Sequence, residues 1–152
     1  MSAIAVGNPA PDVSLSLHDG RTVKLSDYCG KRAVVVFFYP RDNTPVCTKE
    51  VCAFRDAYSR FVDAGCEVIG VSCNSAESHG RFADRHGLPY PLATDADGSL
   101  QRAFGMKPVL GFLPGRTTFV IDRDGIVRLV FSALFASDEH VKKALEVLGA
   151  AS

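Results

Sequence analysis

Residues 33–39 constrain the fold most, because all seven carry apolar or aromatic side chains and none is charged. A strand with one face in water alternates apolar and polar residues, whereas a strand covered on both faces is a continuous apolar run. The segment therefore predicts a central strand in a sheet that is covered on both sides. It is too short to cross a bilayer, which takes about 20 apolar residues.

Helices and strands alternate along most of the chain. Apolar periodicity predicts helices over residues 45–63, 75–86 and 97–104 and from Ser137 onwards, and strands over 67–72, 90–94, 117–121 and 126–131. The first of these helices has an apolar stripe at Val51, Phe54, Tyr58, Phe61 and Val62, and the last has one at Val141, Leu145 and Leu148. Gly65 and Gly87 are the stop signals of the first two helices.

Two Asp-Gly pairs predict hairpins, one at Asp19-Gly20 near the amino terminus and one at Asp124-Gly125. Residues 105–115 predict an irregular loop. A β-α-β unit that begins at residue 33, followed later by a hairpin and a helix, matches the thioredoxin-like arrangement. The predicted class is α/β: one thioredoxin-like domain over residues 1–152, with a central mixed sheet flanked by helices and an N-terminal β-hairpin.

Charge and cysteine content narrow the function. Lys and Arg number 17, as do Asp and Glu, so the chain lacks the net positive charge that nucleic-acid and anionic-membrane binding use. Five cysteines, an odd number, do not suit a secreted disulfide framework and favour a reducing compartment. The first eleven residues lack the basic and apolar regions of a signal peptide, so we expect a cytoplasmic protein.

Cys47 falls in the first turn of a predicted helix. Thr44 suits the N-cap position and Pro45 the first helical position, which places Cys47 among the unpaired N–H groups of the helix start. The positive end of the helix dipole favours a thiolate there, and the thiolate is the nucleophilic form. The alternative is a small core residue, since Cys47 shares the apolar stripe of Val51 and Phe54.

Cys52 follows Cys47 by five residues. On a regular helix this spacing puts the two Cα atoms roughly 8–9 Å apart and about 140° around the axis. A disulfide needs Cα atoms within about 7 Å, so the two thiols bond only if the first turns of the helix unwind. Spacing alone leaves a coincidental pair equally open.

The motif Pro40-x-x-x-Thr44-x-x-Cys47 resembles the active-site motif of the peroxiredoxins. Its setting, residues 37–52, is similar to the peroxiredoxin Q subfamily, also called bacterioferritin comigratory protein. The likeness extends to residues 7–12, 25–28, 68–72 and 116–122, and the last of these includes the position of the family's active-site arginine, Arg116.

The resemblance implies a thiol peroxidase that reduces hydrogen peroxide and organic hydroperoxides without a cofactor. Cys47 is then the peroxidatic nucleophile, oxidised to a sulfenic acid, and Arg116 holds the thiolate and polarises the peroxide. Thr44 hydrogen-bonds the peroxide, Pro40 shields the sulfur, and the N–H groups near Val46 stabilise the leaving oxygen.

The resemblance also implies that Cys52 is the resolving cysteine and forms an intrachain disulfide with Cys47. Thioredoxin or a glutaredoxin-like dithiol then reduces this bond, and the subfamily tends to be monomeric. Two alternatives remain from the residues: a thiol–disulfide oxidoreductase acting on proteins, and a redox sensor that uses the unwinding as a signal.

Other polar and aromatic residues lie near Cys47 in the sequence. Glu50 either orients Arg116 or is a solvated helix charge, and Tyr39 lines the site by packing. Arg41 and Asp42 are expected to form a loop ion pair or to face solvent.

We expect Cys29, Cys66 and Cys73 to be buried or inert, with Cys73 kept as a distant alternative for resolution. The histidines lack the ligand spacing of a metal site, so no metal is predicted.

Overall fold

A computed structural model describes residues 4–106, 116–133 and 137–151. The strands are β1 (Ser14–Ser16), β2 (Thr22–Lys24), β3 (Ala33–Phe38), β4 (Cys66–Ser72), β5 (Leu92–Thr94), β6 (Thr117–Ile121) and β7 (Val127–Ser132). The helices are α1 (Pro45–Asp63), α2 (Ala76–His86), α3 (Ser99–Ala103) and α4 (Ser137–Ala151), with a 3₁₀ helix at Leu25–Tyr28. Residues 107–115 of the predicted loop lie outside the described residues.

The main sheet has five strands in the order β5-β4-β3-β6-β7. Strand β3 is central and is buried at all six positions, as its apolar sequence predicts. It pairs in parallel with β4 and antiparallel with β6, so the sheet is mixed. Strands β1 and β2 form the predicted amino-terminal hairpin. These features and the flanking helices confirm the predicted fold class.

Successive residues of β3 point to opposite faces of the sheet and feed two separate cores. Val35 and Phe37 pack into a cluster with buried residues of α1, α2 and α4. Val36 and Phe38 pack into a second cluster with residues of the hairpin and with Leu100 of α3. This two-sided burial explains why β3 carries no polar residue.

Gly70 of β4 lies where the sheet and its cover approach most closely. A Cβ atom there would stand 2.8 Å from Leu92 Cδ2 and 2.9 Å from Phe37 Cζ, closer than carbon atoms pack. Position 70 therefore requires a glycine because a side chain has no space there, and not because of its backbone conformation.

Helix boundaries follow the sequence signals closely. Helix α2 ends at Gly87, whose φ of 59° is the left-handed conformation of a glycine C-cap. Helix α1 buries Val51, Phe54 and Phe61, but Val62, which we assigned to the same stripe, is half exposed. No helix in the described ranges is long and apolar enough to span a membrane.

Candidate active site

The chain leaves β3 at the centre of the sheet and enters α1 within seven residues, which brings the start of this helix over the core. Thr44 occupies the N-cap position with an extended backbone, and Pro45 is the first helical residue. The Thr48 N–H bonds back to the Thr44 carbonyl at 2.8 Å. The N–H groups of Val46 and Cys47 precede this first helical bond and are available to a bound anion.

The hydroxyl of Thr44 does not cap α1. It donates instead to the Arg41 carbonyl at 3.2 Å, and no side-chain capping bond forms. Thr44 therefore occupies the predicted N-cap position without a side-chain capping bond, and its hydrogen bond to the peroxide stays a prediction. The Thr44 hydroxyl therefore accepts no hydrogen bond from the N–H groups of the helix, and its oxygen lone pairs stay available to another donor. Thr44 and Pro40 are both partly exposed, so the surface of the site begins at these residues.

Cys47 and Arg116 are brought into contact from positions far apart in the sequence. The Arg116 Nη2 donates to the Cys47 sulfur at 3.2 Å, and the two residues are 1% and 5% exposed. Arg116 directly precedes β6, which pairs with β3, and β3 leads into the loop before α1. The guanidinium thus supplies positive charge directly beside the sulfur, at the start of a helix.

Glu50 lies one turn after Cys47 and is fully buried. Its Oε1 is 3.8 Å from Arg116 Nη1, and its Oε2 is 3.6 Å from His140 Nε2. Burial raises the pKa of Glu50 to about 8, with Arg116 opposing the rise. The alternative of a solvated helix charge was therefore wrong, and Glu50 faces Arg116 as the first interpretation required.

His140 of α4 reaches the same cluster and was missed by the sequence reasoning. It is fully buried, with Nδ1 2.7 Å from Thr118 Oγ1 and Nε2 2.9 Å from the Ala133 carbonyl. Burial lowers the pKa of His140, and the Ala133 carbonyl opposes this effect. The signal that could have found it is its position four residues before Ala144, on the apolar face of α4.

Asp42 is buried, so the expectation of a loop ion pair or a solvent-facing residue was wrong. It accepts hydrogen bonds from the Tyr39 hydroxyl at 2.6 Å and from Ser78 Oγ at 2.8 Å, and it contacts His79 Nδ1 at 2.8 Å. Its own N–H donates to Asn74 Oδ1. Burial raises the pKa of Asp42, but the bonds from His79 and Tyr39 outweigh it and hold the pKa below its ordinary value.

This network ties the loop before α1 to α2. His79, fully buried, contacts Asp42 with one ring nitrogen and the Ala93 carbonyl with the other. Tyr39 is buried in the same cluster of residues as Cys47, and its hydroxyl is directed at Asp42. Tyr39 therefore contributes to the site through its ring and through this anchor.

Cys52 lies on the same unbroken helix as Cys47 and is partly buried. All five cysteines lie in the described ranges, and each is a free thiol. The structure therefore has the reduced geometry, in which helix spacing keeps the two sulfurs from bonding.

The other three thiols differ in exposure. Cys66 is buried, and burial raises its pKa to about 12, as expected for an unreactive thiol. Cys29 and Cys73 are exposed, so of the two expected properties burial does not hold for these thiols, and their inertness stays a prediction. The Cys73 sulfur lies 3.8 Å from the Pro40 carbonyl, at the edge of the site. Within the described residues no group of His, Cys, Asp and Glu could hold a metal ion.

Comparison with known proteins gives one consistent family. The AhpC/TSA family matches residues 6–130. The chain is 42% identical to the chloroplastic peroxiredoxin Q of Sedum lineare over 146 residues, which cover 95% of this chain and 78% of that protein. It is 43% identical to the chloroplastic peroxiredoxin Q of Arabidopsis thaliana, with 95% and 67% covered.

Solved structures agree with these relatives. The crystal structure of peroxidoxin BcpB from Mycobacterium tuberculosis has a TM-score of 0.90 at 38% identity, with 98% of this chain and 99% of that chain covered. The bacterioferritin comigratory protein of Xanthomonas campestris, studied for alkyl peroxide reduction, has a TM-score of 0.82 at 29% identity, with 96% and 98% covered. The chain therefore belongs to the AhpC/TSA family and, within it, to the peroxiredoxin Q proteins.

Proposed function

We propose that this peroxiredoxin reduces hydrogen peroxide and organic hydroperoxides, with Cys47 as the nucleophile. The observation that carries the proposal is the 3.2 Å contact between Arg116 Nη2 and the Cys47 sulfur at the start of α1. The charge of a guanidinium and the positive end of a helix dipole meet there at one sulfur, and both favour an anion.

In the first step the Cys47 thiolate attacks the terminal oxygen of the hydroperoxide. The O–O bond breaks, a sulfenic acid forms on the sulfur, and the leaving alkoxide or hydroxide takes a proton to become an alcohol or water. Arg116 stabilises the thiolate and then the charge on the leaving oxygen, together with the N–H groups of Val46 and Cys47. Thr44 hydrogen-bonds the peroxide, and Pro40 excludes water from the sulfur.

In the second step Cys52 resolves the sulfenic acid. Its thiolate attacks the Cys47 sulfur, the S–O bond breaks and a disulfide forms, and the leaving hydroxide takes the proton that Cys52 gave up and becomes water. Because both cysteines lie on α1, the first turns of that helix must unwind before the sulfurs meet. An intrachain disulfide needs no second subunit, and we propose a monomer on this ground.

A dithiol protein of the thioredoxin or glutaredoxin kind completes the cycle by disulfide exchange. It becomes oxidised as Cys47 and Cys52 return to thiols. Turnover with excess peroxide and such a reductant separates this enzyme from a redox sensor, which reacts once and then stalls. A protein thiol–disulfide oxidoreductase would exchange disulfides without consuming peroxide. Cytoplasmic location stays a prediction from the sequence.

The assignment is tested with one equivalent of peroxide on the reduced protein and on Cys52→Ser, followed by intact and peptide masses. The parent should lose two hydrogens, mapped to a bond between Cys47 and Cys52, and the variant should carry a trappable sulfenic acid on Cys47. Cys73→Ser, which replaces an exposed thiol, is the matched control and should form the same disulfide as the parent. A disulfide that uses Cys73 would overturn the resolving role of Cys52, and an unoxidised Cys47 would overturn the peroxidase proposal.

A further inference from the structure

Two hydrogen bonds join the middle of α1 to the end of α2 and the segment that follows it. The Tyr90 hydroxyl donates to the Val51 carbonyl at 2.6 Å. Arg55 Nη1 donates to the His86 carbonyl at 2.8 Å. On α1 these bonds fall on either side of Cys52, the cysteine that the proposed function takes as resolving. The backbone around Cys52 is therefore tied to a neighbouring part of the fold.

Tyr90 is a firmly placed donor. Its side chain is buried, and its ring meets that of Phe37 in the central strand β3 edge-on, with 5.8 Å between the ring centroids. The next residue is tied to β4, because the Pro91 carbonyl accepts from the Gly70 N–H at 3.2 Å. Burial raises the pKa of Tyr90 far above its ordinary value, so the hydroxyl keeps the hydrogen that it donates.

The two halves of α1 are attached to the core to different degrees. Before Val51 the buried side chains are those of Cys47 and Glu50, and both oxygens of Glu50 lack a hydrogen-bond partner among the described residues. From Val51 onwards the buried side chains are apolar: Val51, Phe54, Ala57 and Phe61. Burial of apolar side chains stabilises a helix against the core, whereas a buried polar group without a partner weakens it. The change between the two halves falls at the residue that Tyr90 binds.

The disulfide requires one of the two cysteines to leave its place on the helix. The Cα atom of Cys52 is only two covalent bonds from the carbonyl carbon of Val51, across a rigid peptide plane. A movement of Cys52 would therefore break the bond from Tyr90 and disturb the apolar half of α1. Unwinding of the turns before Val51 leaves both in place, so Cys47 is the cysteine that moves.

We propose that Tyr90 is a positioning residue for the second step, the resolution of the sulfenic acid. Its hydroxyl keeps α1 helical from Val51 onwards while Cys47 moves away from Arg116. Cys52 then lies at the start of the shortened helix, where the positive end of the helix dipole favours an anion. The inference rests on the proposed function, because it takes Cys52 as the thiolate that attacks.

The chemical test compares Tyr90→Phe with wild type through one turnover. The reduced proteins receive hydrogen peroxide, and samples quenched over time are analysed by peptide mass. Y90F should form the sulfenic acid on Cys47 at the wild-type rate and the disulfide about fivefold more slowly, the effect of one lost hydrogen bond. With excess peroxide the longer-lived sulfenic acid is oxidised further, so the ratio of sulfinic acid to disulfide should rise about fivefold.

Tyr58→Phe is the matched control, since it also removes one hydroxyl bond from α1. The Tyr58 hydroxyl donates to Glu67 Oε1 at 3.0 Å and leaves the Val51 carbonyl untouched. Y58F should therefore resolve the sulfenic acid at the wild-type rate. A purely structural contribution to the stability of α1 would slow both variants alike.

Hydrogen exchange measured by mass spectrometry shows directly where α1 opens. In a regular helix the Arg55 N–H donates to the Val51 carbonyl, so residues from Arg55 onwards report on the half that Tyr90 holds. In the oxidised wild type, residues 45–54 should lose protection and residues 55–63 should keep it. In oxidised Y90F the exchange at residues 55 and 56 should become about fivefold faster.

Three results would overturn the inference: resolution in Y90F as fast as in wild type, equal slowing in Y58F, or lost protection at residues 55–63 in the oxidised wild type. The last measurement needs no variant and decides the question even if Y90F does not fold. An unoxidised Cys47 with peroxide defeats the proposed function instead. Diamide, which accepts the two hydrogens of a thiol pair, then forms the disulfide without peroxide, and the exchange pattern still decides the role of Tyr90. A disulfide that leaves out Cys52 overturns both.

Discussion

The Glu50→Gln substitution tests the buried carboxyl group most directly, because it removes the titration and keeps the shape of the side chain. Burial raises the pKa of Glu50 to about 8 from an ordinary 4.5, with Arg116 opposing the rise. The folded protein therefore keeps a proton on Glu50 that the unfolded chain releases. Between these two pH values unfolding releases a proton, so rising pH favours the unfolded state and wild-type stability declines.

The size of this decline follows from the same two values. Each pH unit inside the window is worth about 1.4 kcal/mol, and the whole window is worth roughly 5 kcal/mol. The stability that the proton on Glu50 contributes is complete below about pH 4.5 and is lost above about pH 8. Because domains of this kind are stable by about 5–15 kcal/mol, a change of this size is readily measured.

The assay is denaturant unfolding of the reduced protein and of Glu50→Gln at intervals from about pH 5 to about pH 8. The free energy of unfolding of the variant, relative to wild type, should rise by about 4 kcal/mol over this range. Other titrating groups cancel in the difference. Glu146 is an exposed residue of α4, and Glu146→Gln is the matched control for replacing a glutamate by a glutamine. If the difference in unfolding free energy between Glu50→Gln and wild type stayed flat or fell, this would falsify the inference that Glu50 is buried and protonated.

Three further substitutions test separate parts of the structure. Arg116→Lys keeps the charge but loses the planar fork, and should slow the reaction of Cys47 with peroxide about 100-fold in a quenched single-turnover assay. Asp42→Asn removes the anionic acceptor of three donors, and should lower the free energy of unfolding in urea by about 2–4 kcal/mol. Gly70→Ala places a Cβ 2.9 Å from Phe37 Cζ, and should lower the unfolding free energy by about 1–3 kcal/mol in the same assay.

Much of the fold could be predicted because its signals are local. The apolar run over residues 33–39 identifies the central strand, since a strand with two covered faces has little room for polar residues. Gly87 ends α2 in the left-handed conformation that glycine adopts without strain. Thr44 and Pro45 mark the start of α1 because their signal also depends only on the backbone geometry within one turn.

The parts of the site that escaped prediction depend on contacts between distant segments. Asp42 is followed by two polar residues, Asn43 and Thr44, and looks solvated in sequence, yet it is buried beneath donors from Tyr39 and α2. His140 is 90 residues beyond Glu50, and only the packing of α4 on α1 brings them together. Cys73 directly follows the buried strand β4, and its exposure depends on where the loop beyond β4 leaves the sheet.

The two unpaired oxygens of Glu50 would weaken a static core, but they suit a helix that has to open. Glu50 lies between Cys47 and Cys52, so in the proposed cycle it leaves the core when the first turns of α1 unwind. Its carboxyl group then reaches water and ionises, which offsets part of the lost helix and packing. His79 holds Asp42 to α2, so we expect the unwinding to be confined to the chain beyond Asp42. In the proposed cycle the buried carboxyl group of Glu50 thereby lowers the cost of forming the disulfide, and more so as pH rises toward about 8.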